Sequence, residues 1–180
     1  EKNDDLRNVL IAESPWLAAG KDESQARRNV GNLFDTNRME NEITRAIDQL
    51  KQMQLSDGAW PWFAGGRAND YLTLYITTGF GRLRKLGVEI DMQPAVRSID
   101  RLDWWINERY TEIKRHGNLG HNHLDSTIAL YLYGRTFFLK EKPVADQYKT
   151  AFDYFVGQAK THWTTLGSRQ PQGHVAIALK

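Results

Sequence analysis

Apolar residues in this chain recur in two alternating helical patterns, and that alternation limits the folds open to it. Met39, Ile43, Ala46, Ile47, Leu50 and Met53 form one stripe at helical spacing, with Glu40, Glu42, Arg45, Asp48 and Lys51 opposite. The next helix pattern, 71–86, is apolar on most sides in its first half, Tyr71 to Ile76. The pair then repeats: one-sided at 94–114, all round at 126–138; one-sided at 144–163, all round from 174 onward. One-sided helices start near 39, 94 and 144, a period of about 50 residues, as stacked helical hairpins require. A one-sided helix covers a surface, whereas an all-round apolar helix must be enclosed by protein. The expected fold is all-α, with inner and outer helices alternating as a partial ring (an α/α toroid) or in a line. The helices at 71–86 and 126–138 are predicted to be more buried than those at 39–53, 94–114 and 144–163. No period-2 alternation bounded by turn pairs competes with this reading.

Local signals fit the same division. Asp35-Thr36-Asn37, Asn69-Asp70 and Asp125 or Ser126 supply capping side chains ahead of apolar runs. Gly87 marks a stop, Pro94 suits a first helical turn, and Pro143 breaks the helix before it. Two shorter helices are expected at 4–13 and 23–34. The chain opens Glu1-Lys2-Asn3 without Met and reaches Lys180 inside an apolar run. The expectation is therefore a single segment, 1–180, of a longer polypeptide.

Composition removes several classes of function. With 24 Lys and Arg against 22 Asp and Glu, the net charge is +2, which argues against a strongly basic nucleic-acid binder. Cysteine is absent, so disulfides, Cys-ligated zinc, iron–sulfur clusters and a Cys nucleophile are excluded in these residues. No apolar run is long enough to span a membrane. Six Trp, seven Tyr and seven Phe set the chain apart from disordered sequences.

The sharpest motif is Gln54-Leu55-Ser56-Asp57-Gly58-Ala59-Trp60, followed by Pro61-Trp62-Phe63. Asp57-Gly58 favours a tight turn after the helix that ends near Gln54. Trp60, Trp62 and Phe63 can then wedge between two helix ends, and Gln54 can bond loose carbonyls or the turn backbone. Gln54, Asp57, Gly58 and Trp60 are read as a structural clamp in preference to a ligand site. The pattern Q-x-x-D-G-x-W resembles the structural repeat motif of α/α-toroid proteins such as terpene cyclases.

A closer resemblance runs through Asn37-Arg38-Met39, the segment 54–67 and Tyr75-Ile76-Thr77-Thr78-Gly79, and again at 130–138 and 173–179. These stretches are similar to the complement-type thioester domain of bacterial alpha-2-macroglobulin-like proteins. That resemblance implies a large secreted or periplasmic protein of the cell envelope, one that can be membrane-anchored and that inhibits endopeptidases by trapping them. Cleavage of a bait region exposes an internal thioester, which then links to the attacking protease. The thioester motif, Cys-x-Glu-Gln, would lie upstream of these residues. No catalytic residue, cofactor or metal ligand is therefore carried onto any position here. The implied partners are other domains of the parent protein and, through the parent, a target protease, with no nucleic acid.

Other constellations carry less. His116, His121 and His123 sit beside Asp125 in a Gly- and Asn-rich loop, where His-x-His could ligate a metal but solvated or capping side chains are the simpler reading. The alternative function is a toroid carbohydrate-active enzyme, a glycosidase or polysaccharide lyase. Such an enzyme needs paired carboxylates, or a His/Tyr/Arg set, in an aromatic cleft. Asp57 near Trp60 and Trp62, or Asp103 with Trp104-Trp105, would be its candidates, although Trp104-Trp105 better suits the edge of a core. Asp4-Asp5 does not suit a terpene-cyclase acidic cluster, and Gly65-Gly66-Arg67 lacks the Lys-Ser/Thr of a phosphate loop.

Overall fold

A computed structural model describes residues 36–180, with side chains from residue 40 onward. The helices expected at 4–13 and 23–34, and the Asp4-Asp5 pair, lie outside the described residues. Contacts divide the chain into two compact units, Glu1–Asp48 and Gln49–Lys180. Among the described residues every regular element is helical, and the one β-type pairing is an isolated bridge between Pro61 and Ala68.

Helix α1, Thr36–Met53, crosses the division between the units. In the first unit, Ile47 is buried on the stripe face and Glu42 and Arg45 pair at 3.2 Å on the exposed face. The second unit holds α2 (Asp70–Lys85), α3 (Gln93–Arg115), α4 (Ser126–Thr136), α5 (Asp146–His162), a 3-10 turn at Trp163–Thr165, and α6 (Arg169–Ala178).

Side-chain caps fix two helix starts. Asn69 Oδ1 accepts from Leu72 N at 2.8 Å ahead of α2, and Asp125 Oδ1 accepts from Ile128 N at 2.8 Å ahead of α4. Helix α2 ends in a Schellman arrangement: Gly87, at φ 82°, donates to Arg84 O, and Val88 N donates to Leu83 O. Helix α4 stops two residues before the predicted 138. Phe137 and Phe138 donate to Gly134 O and Arg135 O, tightening the last turn instead of extending the helix. Helix α6 starts at Arg169, five residues before the predicted 174. Pro171 is tolerated there because a first-turn N–H has no helical acceptor.

Helix α4 packs against both α2 and α6, and α3 packs against α2 and α5. Helices α2 and α4 run in the same direction. A Cβ on Gly134 would meet Thr78 Oγ1 at 2.5 Å, and one on Gly81 would meet the Phe137 ring at 2.5 Å. The absence of a side chain at these two points makes room for the Thr78 hydroxyl and the Phe137 ring between the helices. Along α4 only Ser126 is exposed, and along α2 only Tyr71, Tyr75 and Lys85 are. Helices α3 and α5 expose a residue in nearly every turn, as Arg97, Asp100, Trp104, Glu108 and Glu112 illustrate on α3. The enclosed and one-sided patterns therefore differ in burial within this unit. Helix α6 departs from the enclosed pattern, because Ala176 and Ile177 are exposed.

The core runs through Leu74, Ile106, Ile128, Tyr131, Phe155 and Val175. A charge is buried beside it. Asp103 of α3 lies 2.9 Å from Arg135 Nε of α4 and accepts from Tyr131 OH at 2.8 Å and Arg135 Nη2 at 3.2 Å. Arg135 Nη2 also donates to Lys142 O at 3.0 Å, holding the turn after α4. Burial pushes the Asp103 carboxyl above its ordinary value, against the pull of Arg135 and the Tyr131 hydrogen bond. The Tyr131 phenol is pushed well up, first by burial and then by the Asp103 charge.

Asp103 and Arg135 are 2% and 1% exposed, so removing one partner strands the other in a poor solvent. Asp103→Ala is expected to lower stability by about 3–5 kcal/mol. Urea unfolding checks this, and a loss below about 1 kcal/mol would show that α3 and α4 are held together without the pair.

Candidate functional site

The turn after α1 brings the sequence motif onto three helices. Gly58 N donates to Leu55 O at 3.0 Å, Leu55 N to Ala59 O at 2.9 Å, and Ala59 N to Asp57 Oδ1 at 3.1 Å. Gly58 sits at φ 84°, where a side chain is disfavoured. A Cβ there would also meet Arg97 O of α3 at 2.4 Å. The Gln54 amide donates to Gly58 O at 2.9 Å and to Pro94 O, at the start of α3, at 2.7 Å. Trp60 is fully buried. Its indole N–H donates to Leu50 O in the last turn of α1 at 2.8 Å, and its ring stacks on Phe80 of α2 at 6.3 Å.

The Trp60 amide donates to Thr73 Oγ1 at 2.8 Å, and Thr73 Oγ1 donates to Asn69 O at 2.8 Å. One turn further along α2, Thr77 Oγ1 lies 2.7 Å from Thr73 O and 2.6 Å from Ser98 Oγ of α3, which itself reaches Ala95 O at 2.7 Å. These last three contacts share two hydroxyl protons, so one hydroxyl gives up its carbonyl to bond the other. Asp57 and Asp70 meet at Arg101 of α3, at 3.2 and 2.7 Å, and the Arg101 guanidinium lies 4.4 Å from the Trp104 ring centre. Only Trp60 wedges between the helix ends as expected; Trp62 and Phe63, in the loop beyond it, are instead 64% and 69% exposed.

The carboxylates named for a carbohydrate enzyme are thus engaged. Asp57 belongs to the turn and to Arg101, and Asp103 is enclosed with Arg135 and Tyr131. Trp105 is half-buried edge-on to Tyr131 at 6.2 Å, whereas Trp104 is partly exposed. In the histidine loop, His116 Nδ1 is 2.9 Å from Glu112 O and His123 Nε2 is 2.8 Å from Asn118 O, while His121 is exposed. Among the described residues, no group of three His, Asp or Glu side chains is placed to hold a metal ion. No described helix is long and apolar enough to cross a membrane.

A cleft of about 280 Å³ lies between α2, the start of α4 and the start of α6. Tyr71, Tyr75 and Arg82 line it from α2, Ser126 and Thr127 from α4, and Pro171 and His174 from α6. His174 is 8% exposed and stacks on Tyr133 at 4.6 Å, with an 8° angle between rings. Its Nε2 lies 3.1 Å from Arg82 Nη2. Arginine only donates, so Nε2 accepts and the proton sits on Nδ1. That Nδ1 is buried without a partner. Burial, and then the Arg82 charge, pushes the His174 pKa below its ordinary value. Sequence reasoning missed this pair: Arg82 and His174 are 92 residues apart, and nothing local to either residue points to the other.

No family model matches this chain, and no solved structure matches it. Among curated proteins, it is 29% identical over 69 residues to a protein of Thermotoga maritima named Alpha-2-macroglobulin. The aligned part covers 38% of this chain, and it spans about 4% of the length of that relative.

Trp60→Ala is expected to cost about 3–5 kcal/mol, because a large enclosed ring is replaced by a cavity. Gln54→Ala should cost less, about 1–3 kcal/mol for the two hydrogen bonds it removes. Thermal or urea melts rank the two, and a Trp60 variant as stable as the parent would deny the turn a structural role. His174 gives a pH dependence. Its folded-state pKa lies below the unfolded value, so its contribution is present above the ordinary histidine pKa, near 6.5, and is lost as pH falls through the lower folded value. Melting temperature should therefore fall with acidification below about pH 6.5, and His174→Gln should flatten that slope. An unchanged slope in the variant would place the acid sensitivity elsewhere.

Proposed function

We propose that this chain is a non-catalytic helical segment of an alpha-2-macroglobulin-like protease-trapping protein. Its hairpins would belong to an α/α toroid of the thioester-domain type, which scaffolds and shields a thioester carried upstream in the parent. Desolvation protects such an activated acyl group from hydrolysis, and packed helices supply the required dry surface. The observation that carries the reading is the partial similarity to the Thermotoga maritima protein, together with the motif resemblance that spans 37–79. The all-helical fold and the difference in burial between α2 and α4 on one side and α3 and α5 on the other support it. A secreted or periplasmic setting follows from the same family reading.

Covalent trapping needs an acyl group activated on sulfur, and these residues hold no Cys. The 180-residue chain alone is therefore expected neither to form adducts with proteases nor to reduce their activity. Incubation with a protease panel and with methylamine, followed by mass spectrometry and residual-activity assays, tests this. A covalent adduct or stoichiometric loss of protease activity would contradict the scaffold role. Turnover of an oligosaccharide panel would contradict the family reading altogether.

A further inference from the structure

The cleft between α2, α4 and α6 has an uneven chemical character. On α2 its lining residues recur at 71, 75, 78, 79 and 82, one stripe of a helix face. The tyrosines stand at the N-terminal end of that stripe; Arg82 lies about two turns, roughly 10 Å along the axis, from Tyr75 and about three turns, roughly 16 Å, from Tyr71. Tyr71 and Tyr75 are 51% and 59% exposed, so an aromatic wall is open to solvent at one end. At the other end are the Arg82 guanidinium and the enclosed His174 ring.

That cationic end holds unused donors. Among the described residues Arg82 has no carboxylate partner; its contacts are His174 Nε2 and the face of Tyr133, at 5.2 Å from the ring centre. His174 has its Nδ1–H buried with no acceptor. A buried donor without a partner is costly, and nearly all such groups in folded proteins are satisfied. Ser168, the residue just before α6, also lines the cleft and makes no side-chain cap, which leaves first-turn donors of α6 unanswered by it. No Asp or Glu lines the cleft. One guanidinium, one neutral imidazole N–H and open hydroxyls together lack a single negative charge with two acceptor oxygens.

We propose that this cleft binds a small organic carboxylate, with the carboxylate at Arg82 and His174 and an apolar body reaching towards Tyr75. A monovalent carboxylate balances the single guanidinium and matches its planar fork. A phosphate dianion would bring a second charge with no second cation to meet it. The volume of about 280 Å³ lies just below the usual range for ligand pockets, roughly 300–1,000 Å³, and suits only a compact molecule. Aromatic side chains beside a few convergent polar groups are the usual make-up of such sites. The inference stands on the cleft's own chemistry and does not depend on the family reading.

The test is a titration of the full 180-residue chain, followed at the His174 imidazole by NMR, at constant ionic strength and neutral pH. The probes are 3-phenylpropanoate, acetate, inorganic phosphate and the neutral 3-phenylpropan-1-ol. The expected result is saturable binding of 3-phenylpropanoate, weaker binding of acetate, and no shift with the alcohol. Arg82→Gln should weaken 3-phenylpropanoate at least about tenfold. Tyr75→Ala should bring 3-phenylpropanoate down towards acetate. Absence of saturable binding by either carboxylate would overturn the proposal, as would equal response to acid and alcohol, or phosphate binding tighter than both carboxylates. Unchanged affinity in a folded Arg82→Gln chain would do the same. If that variant does not fold, the acid-versus-alcohol comparison and Tyr75→Ala, at a half-exposed position, still decide.

Discussion

The burial of Trp60 is the constraint on which the second unit depends. An indole enclosed on all sides must place its N–H on an acceptor, and it finds Leu50 O at the end of α1. Its own amide must do the same, and it finds Thr73 on α2. Two bonds from one residue thus fix the spacing of two helices. Gln54 adds α3 through Pro94 O, and Gly58 lets the turn lie directly on the α3 backbone. The end of α1, the start of α2 and the start of α3 are therefore positioned by one turn of seven residues, 54–60. The hydroxyls of Thr73, Thr77 and Ser98 carry this polar seam inward between α2 and α3.

Helix α3 is also tied down by charge. Asp103 faces Arg135 and Tyr131 of α4 in a dry environment, where the pair is fixed because neither group can be left alone. Two turns along, Arg109 pairs with Asp125, the residue that caps α4, at 2.9 Å, much as Arg101 pairs with Asp70 at the start of α2. Helix α3 thereby sets the positions of α2 and α4. With those set, the cleft between them has fixed walls, and α6 closes it by laying His174 on Tyr133. The cleft is a consequence of the scaffold: the helices that enclose the core also bring Arg82 and His174 together.

Much of the fold was legible because helical periodicity and caps are local. Asn69 and Asp125 stand in capping positions whose role depends on the next three residues. The enclosed character of 126–136 could be read from its unbroken apolar run. The same reasoning failed at α6, where an apolar run coincides with exposed Ala176 and Ile177, since pattern alone does not say which neighbour covers a face. It also misplaced the start of α6, because Gly167 to Gly173 has loop composition and yet Pro171 fits a first helical turn. The Asp103–Arg135 and Arg82–His174 pairs were invisible for a different reason. They join residues 32 and 92 apart, and only the packing of the helices brings them within reach.

Native-state amide hydrogen exchange at Trp60 tests the organising role of the 54–60 turn most directly. If the turn holds α1, α2 and α3 together, the amides of Trp60 and Thr73 open only when the second unit unfolds, and their exchange free energy equals its global unfolding free energy. The amide of Trp163, in the 3-10 turn, should exchange at lower cost and serves as the local reference. If Trp60 exchanged as easily as Trp163 while the core of α4 stayed protected, the turn would be a peripheral loop and the helices would be held by other means.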